Sequence, residues 1–357
     1  MSNDLYQTIA DLAEAGQTFA LVVVLSDHGS TPRKAGAKAI VDAGGTIHGT
    51  IGGGLLEDEA RRVAVRALES GRAEVFDFHF DGKSAREGDP VCGGTMRILV
   101  NPASASHRAA YAAAAEARRG RKRGLLFTHV AHRAGGVNVS VQWEPRGNEH
   151  PPDPDSALPR GEPLYLHDRH GPFGLEETLV EPLSPGALLL VVGGGHVGQA
   201  LARQAVPVGF DVVVIEDRPE FADPARFPGA LAVRCGDVAE ELRRFPLDGD
   251  TYVALVSRGH RTDAAALAAC VREPRLAYIG MMGSRRKVAL LRKEFIETGV
   301  ATAAQFDRVH APIGLDIGAE SPAEIAASIV AELVAVLRKS NTFAGDSPAA
   351  RRKVSLR

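Results

Sequence analysis

The run FALVVVLS, Phe19 to Ser26, is continuous in apolar and β-branched residues and predicts a buried strand, beside which Lys38 to Val41 can pair. Ahead of it Leu5, Ile9 and Leu12 stand at helical spacing. Leu55 to Ser70 sets Leu56, Val63, Ala67 and Leu68 among Glu, Asp and Arg, so a helix is expected directly after Gly52, Gly53 and Gly54. Val75, Phe76, Phe78 and Phe80 then largely alternate with Asp77 and His79, as in a half-buried strand, and Met96 to Val100 supplies another. Ala109 to Arg119 reads as helix by its alanine content, and strands are expected at Leu125 to Val130 and Val137 to Trp143. His150 to Pro163 is proline-rich and polar, hence a loop or linker.

Beyond Pro185 strand and helix alternate: Ala187 to Val192, Val197 to Ala205, Asp211 to Ile215, then strands at Leu231 to Arg234, Thr251 to Val256 and Leu276 to Ile279. That order is the signature of a doubly wound parallel sheet. Ser321-Pro322-Ala323-Glu324 is a capping box, and Ile325, Ile329, Leu333 and Leu337 give the helix after it an apolar stripe for the sheet or for a second chain. The fold class is therefore α/β: an N-terminal mixed domain over 1–182, including linker 150–163, a Rossmann-like domain over 183–340, and a tail over 341–357. A chain of 357 residues has room for two such cores.

Composition narrows the function classes. A net charge of -2, from 42 basic and 44 acidic side chains, gives no global field for nucleic acid or an anionic membrane, so an anion site must be local. Cys92, Cys235 and Cys270 are far apart with no C-x-x-C pair, which fits a reducing cytoplasm better than a disulfide framework. The N-terminus is unlike a cleavable signal, and no apolar run approaches the roughly 20 residues of a membrane span.

Several segments carry chemistry. In LLLVVGGGHVGQALA a strand runs into Gly193, Gly195 and Gly198 in G-x-G-x-x-G spacing, with His196 inside the turn and a helix behind it. Such glycines make the turn, admit a pyrophosphate and pack helix on strand. Glu216, with Asp217 as its rival, lies where a ribose-binding carboxylate would sit. Gly283, Ser284, Arg285 and Arg286, followed by Lys287, put cations in a helix's first turn, where the macrodipole favours anions. A bound anion would remove that conflict, with Ser284 as N-cap; solvation of the long side chains is the plain alternative.

Gly29 to Lys38 gathers Ser30, Thr31, Arg33, Lys34 and Lys38 between two strands, and Thr50 to Glu57 carries Gly52, Gly53 and Gly54 into a helix. Both are anion-binding candidates, and neither is a P-loop. Asp89 to Thr95 holds Cys92, the reactive-cysteine candidate, beside Gly93, whereas Cys235 and Cys270 are expected to pack quietly.

GSTPRKAGAK, TIGGGLLE, VCGG, VVGGGHVG, YIGMMGSRRK and PIGLDIGAESPAEIA, in that order, resemble the xanthine dehydrogenase accessory family of XdhC/CoxI type over nearly the whole chain. The resemblance implies a chaperone that binds molybdenum cofactor and shelters it during sulfuration by a cysteine desulfurase. It also implies delivery to an apo molybdenum hydroxylase, with a homodimer expected. Ser30, Thr31, Arg33, Lys34, Lys38, Gly52 to Gly54, Glu57, Cys92 and Gly93 would hold the pterin, with Cys92 near molybdenum. The glycine loop of the second domain would take NAD(P) or another nucleotide. An NAD(P)-dependent oxidoreductase is the alternative from another class, with His196 and His260 as substitutes for the missing acid-base pair. A Rossmann unit that has lost its nucleotide and serves as a docking surface is a third.

Overall fold

The computed structural model describes residues 5–80, 93–102, 104–146, 163–171 and 174–342, which divide into a unit ending at Pro185 and one beginning at Gly186. In the first unit α1 (Leu5–Glu14) leads into β1 (Phe19–His28), β2 (Lys38–Asp42) and β3 (Ile47–Gly49). Then follow α2 (Gly54–Ser70), β4 (Glu74–His79), β5 (Thr95–Asn101) and α3 (Arg108–Arg119). The strands form an antiparallel sheet in the order β3-β2-β1-β5-β4. A second antiparallel sheet, β7-β6-β9-β8, comes from β6 (Arg123–Arg133), β7 (Gly136–Arg146), β8 (Leu164–Gly171) and β9 (Gly174–Leu183).

The unbroken apolar run of β1 has a plain cause: the strand is buried on both faces. Ala20, Val22 and Val24 pack with Leu56, Ala60 and Val63 of α2. Phe19, Leu21, Val23 and Leu25 face Ile9 of α1, Tyr111 of α3 and Leu126 and Leu179 of the second sheet. Burial of each such side chain contributes about 1.5–3 kcal/mol, so this strand anchors the unit. β8 and β9 were not anticipated, because the stretch before Leu183 carries no motif and β9 places glutamates inside.

The second unit begins with β10 (Leu188–Val192), α4 (His196–Ala205), β11 (Asp211–Glu216), β12 (Ala232–Cys235) and α5 (Val238–Arg243). It continues with β13 (Thr251–Leu255), α6 (His260–Cys270), β14 (Tyr278–Met281) and α7 (Arg285–Glu297). α8 (Ala303–Phe306), β15 (Val309–His310) and α9 (Pro322–Thr342) complete it. All pairings are parallel and the order is β12-β11-β10-β13-β14-β15, the doubly wound Rossmann arrangement. One face is covered by α4 and α9, the other by α5, α6 and α7.

The α9 stripe goes to the sheet: Ile329 and Leu333 are fully buried there. Its capping box is formed, Ser321 Oγ accepting from the Glu324 amide at 3.3 Å and Glu324 from the Ser321 amide at 3.0 Å. The two cysteines expected to pack quietly differ. Cys270 is buried, its thiol pushed up to about 12 by burial, but Cys235 is exposed because it ends β12, the edge strand. Among the described residues no helix is long and apolar enough to cross a membrane.

Candidate functional site

Three segments of the first unit meet at the end of β1. A Cβ on Gly29 would lie 3.0 Å from the Gly93 carbonyl oxygen, and one on Gly94 would overlap the Ser30 carbonyl. A Cβ on Gly52 would come within 2.5 Å of Pro32 Cγ. The loop after β1, the loop before α2 and the segment before β5 therefore touch at positions where only glycine fits. Cys92 lies outside the described residues.

Charge in this cluster is largely compensated. Asp27, at the end of β1, accepts from Lys34 Nζ at 2.8 Å, the Ala35 amide at 2.9 Å and Thr31 Oγ1 at 3.3 Å. Lys38 is buried and ion-paired with Glu181 of β9, 143 residues on. Lys34 and Lys38, read from sequence as cations for a guest, thus already face carboxylates. Arg33 and Ser30 are exposed, and Arg33 has no ion pair among the described residues.

Gly53 takes φ +80°, which favours glycine, and N-caps α2 without a side-chain cap; a Cβ there would meet nothing within 4 Å. Gly54 opens the helix. Glu57 is turned back onto this loop, its Oε1 accepting from Thr50 Oγ1 at 2.7 Å and from the Ile51 and Gly53 amides at 3.0 Å each. Burial works against its ionisation, but these hydrogen bonds prevail and hold the carboxyl below its ordinary range. Glu57 shapes the loop from within.

Near the cluster, two residues along β5 from Thr95, lies an ionic network around one buried carboxylate. Arg97 binds Glu177 of β9 through Nε at 2.5 Å and Nη2 at 2.9 Å, and Asp77 of β4 at 2.8 Å. His132 of β6 and Tyr165 of β8 share the same Glu177, whose side chain is fully buried. The two sheets are therefore tied by charge as well as by apolar packing.

In the second unit the glycine turn has the geometry its spacing predicts. A Cβ on Gly198 would overlap the Gly193 carbonyl, so α4 packs directly on β10. Gly195 N-caps α4 without a side-chain cap and faces nothing within 4 Å, and His196 is exposed. Glu216 behaves differently from a free ribose acceptor. It is 2% exposed and accepts from the Gly194 amide at 2.6 Å and from Arg218 through its amide, Nε and Nη2 at 2.9–3.1 Å. Burial opposes ionisation there too, yet the Arg218 guanidinium keeps the Glu216 carboxyl low, while the neighbouring Glu216 carboxylate raises that of exposed Asp217.

Gly283 precedes Ser284, which caps α7 as its sequence suggests, Oγ accepting from the Lys287 amide at 3.3 Å. Arg285 and Arg286 are exposed, whereas Lys287 Nζ binds Asp263 at 2.8 Å. Asp263 is fully buried and takes Ser257 Oγ on its other oxygen at 2.5 Å. Asp27, Glu177, Asp263 and Ser257 were missed from sequence, their partners lying up to 80 residues away; the Ser-Arg-Gly-His-Arg-Thr-Asp string was the one available signal. The His260 side chain lies outside the described residues.

A family model described as the XdhC Rossmann domain matches residues 189–333, and one described as the XdhC and CoxI family matches residues 12–79. The chain is 27% identical over 327 residues to uncharacterized protein YqeB of Escherichia coli (strain K12), covering 89% of this chain and 43% of that protein. It is 23% identical over 325 residues to a probable xanthine dehydrogenase subunit of Bacillus subtilis (strain 168), covering 89% and 93%. The chain therefore spans less than half of the first relative and nearly all of the second. The crystal structure of a xanthine dehydrogenase from Bacillus halodurans shares the fold, with a TM-score of 0.75 and 23% identity over 97% of this chain and 98% of that one.

Proposed function

The chain belongs to the XdhC and CoxI family, and from that premise we propose that it carries molybdenum cofactor to a xanthine dehydrogenase-type apoenzyme. One similar protein is named a probable xanthine dehydrogenase subunit and a structural neighbour is titled a xanthine dehydrogenase, and those names support the client class. The observation that carries the reading is the meeting of the Gly29 to Gly36 loop, the Gly52 to Gly54 loop and Gly93-Gly94 at one end of β1.

The donor set fits a phosphate-bearing guest. Arg33 supplies an exposed guanidinium and Ser30 a hydroxyl, and the first-turn amides of α2 add N-H donors beside open Gly53. With Lys34 and Lys38 already paired, neutralising the pterin phosphate falls to Arg33. Cys92, next to Gly93 in the chain, supplies the thiol near molybdenum in this reading. The cargo supplies the redox metal of the client enzyme; this chain's residues bind and shelter it. A cysteine desulfurase and the apoenzyme are the partners, met by a cytoplasmic homodimer.

The test mixes full-length protein with isolated molybdenum cofactor, follows pterin retention by ultrafiltration, and then adds apoenzyme. Retention with faster maturation is expected. Arg33→Ala should weaken retention by about ten- to a hundredfold, the loss of one charge-assisted contact of roughly 1.5–3 kcal/mol. No retention, together with equal maturation in its absence, overturns the carrier reading.

A further inference from the structure

We propose that a cavity of about 260 Å³ in the first unit, between the edges of its two sheets, is a binding site for a small organic carboxylate, recognised by Arg72 and Asn101. The site goes beyond the carrier reading and lies apart from the glycine cluster. Asn101 ends β5 whereas Thr95, next to Gly94, begins it, and six steps of strand put about 20 Å between them.

The cavity exists because two sheet edges meet at a single point. β4 is the last strand of one sheet and β7 the last of the other, and an isolated bridge joins Ala73 to Val137. The gap beside that bridge is walled by Gly71 to Ala73 after α2, by Gly135 and Gly136 at the β6–β7 turn, and by His107 ahead of α3. Side chains do not fill it. A Cβ on Gly135 or Gly136 would meet nothing within 4 Å, and Gly136 takes φ +131°, which favours glycine. A void lined by apolar groups stays dry, but one lined by Arg72, Asn101, Ser106 and His107 holds water or a polar solute.

The lining selects charge. Among the described residues it contains one guanidinium, that of Arg72, and no carboxylate. Arg72 is exposed, and its side chain has no ion pair or hydrogen bond among the described residues, so its fork of donors is available to a carboxylate. The Asn101 amide, 2% exposed, lies with Nδ2 3.4 Å from His107 Nδ1. His107 donates to the Val139 carbonyl, and burial holds its imidazole below the ordinary range, so it brings no second charge at neutral pH. Two helix ends border the cavity with opposite sign, the amino end of α3 at His107 and the carboxyl end of α2 at Gly71. They offset each other, and Arg72 decides for an anion.

Size narrows the guest. Sites for drug-sized ligands run to roughly 300–1,000 Å³, so this one suits a molecule smaller than a nucleotide or a pterin cofactor. A carboxylic acid of the size of succinate or an amino acid matches both the space and the charge.

Full-length protein titrated calorimetrically with succinate, glutamate and pyruvate tests this, with succinamide as the uncharged control and phosphate as an anion of another shape. At least one of the three carboxylates should bind with a millimolar or lower Kd, and both controls at least about tenfold more weakly. R72Q should weaken that carboxylate at least about tenfold, and R72E should abolish its binding. N101D, which sets a like charge against the guest, should weaken it too. Melting curves show whether each variant is folded, and R72Q, altered at an exposed position, should melt as the wild-type chain does. Failure of all three carboxylates to bind at millimolar concentration overturns the inference. Equal binding of succinamide or phosphate does so as well, as does a folded R72Q chain with unchanged affinity. Pterin retention by the wild-type preparation reads the carrier proposal separately.

Discussion

Both oxygens of Asp27 are taken by the loop that follows it, and Oε1 of Glu57 is taken by the loop that precedes it. Two single carboxylates thus shape the walls of the N-terminal cluster, each by gathering donors that the turns would otherwise leave unpaired. Lys34 is 73% exposed, so its pair with Asp27 is worth little in stability. Glu57 is the stronger case. Glu57→Ala removes an acceptor from Thr50 and two amides and should cost about 1–2 kcal/mol at neutral pH, as loss of a helix cap does. Its carboxyl titrates lower in the folded than in the unfolded chain. The stabilisation is therefore complete above the ordinary glutamate range and is lost as pH falls through the depressed folded value. Urea denaturation of both proteins at a series of pH values should show the difference shrinking on acidification. A difference independent of pH would mean that the charge of Glu57 does not organise the loop.

At the scale of elements, β9 is the least expected strand, since Glu177 and Glu181 both point inside and are 1% and 3% exposed. They are tolerated because each meets a cation from the other sheet, Glu177 from β5 and Glu181 from β2. Such pairs add little net stability over apolar side chains, but breaking one leaves a buried charge without compensation. Arg97→Met should therefore destabilise the chain by about 3–5 kcal/mol, and R97M/E177M by clearly less. A double-mutant cycle in urea measures both. If the double variant is as unstable as the single one, the damage comes from lost packing and not from stranded charge. The same network carries the register of β9 against β6, so a partly unfolded R97M chain should lose amide protection first in β8 and β9.

For the molecule as a whole, the order of elements was legible because hydrophobic periodicity is a local property: β1, α2, β10, α4 and α9 all lie where the spacing of apolar residues put them. The glycine turns were legible for the same reason, their steric logic lying within a few residues. The charge pairing was not, because Lys38 finds Glu181 and Arg97 finds Glu177 only after two sheets have formed, and nothing in either sequence neighbourhood announces the partner. Lys34, Lys38 and Glu216 consequently read as free ligand groups when they are engaged within the protein. The cores themselves are separate in sequence. One pair of clusters draws on residues from Leu5 to Leu183, the other on residues from Ala187 to Leu337. A unit of this length buries about 70% of the surface its unfolded chain exposes, enough to fold without covalent or metal staples. Residues 3–185 and 186–342, expressed as two fragments, should therefore each be monodisperse and give a cooperative thermal transition. Their circular dichroism should differ, rich in strand for the first and mixed for the second. If either fragment melts without a cooperative transition while the full chain melts sharply, its core does not suffice alone, and the division into two self-supporting units is wrong.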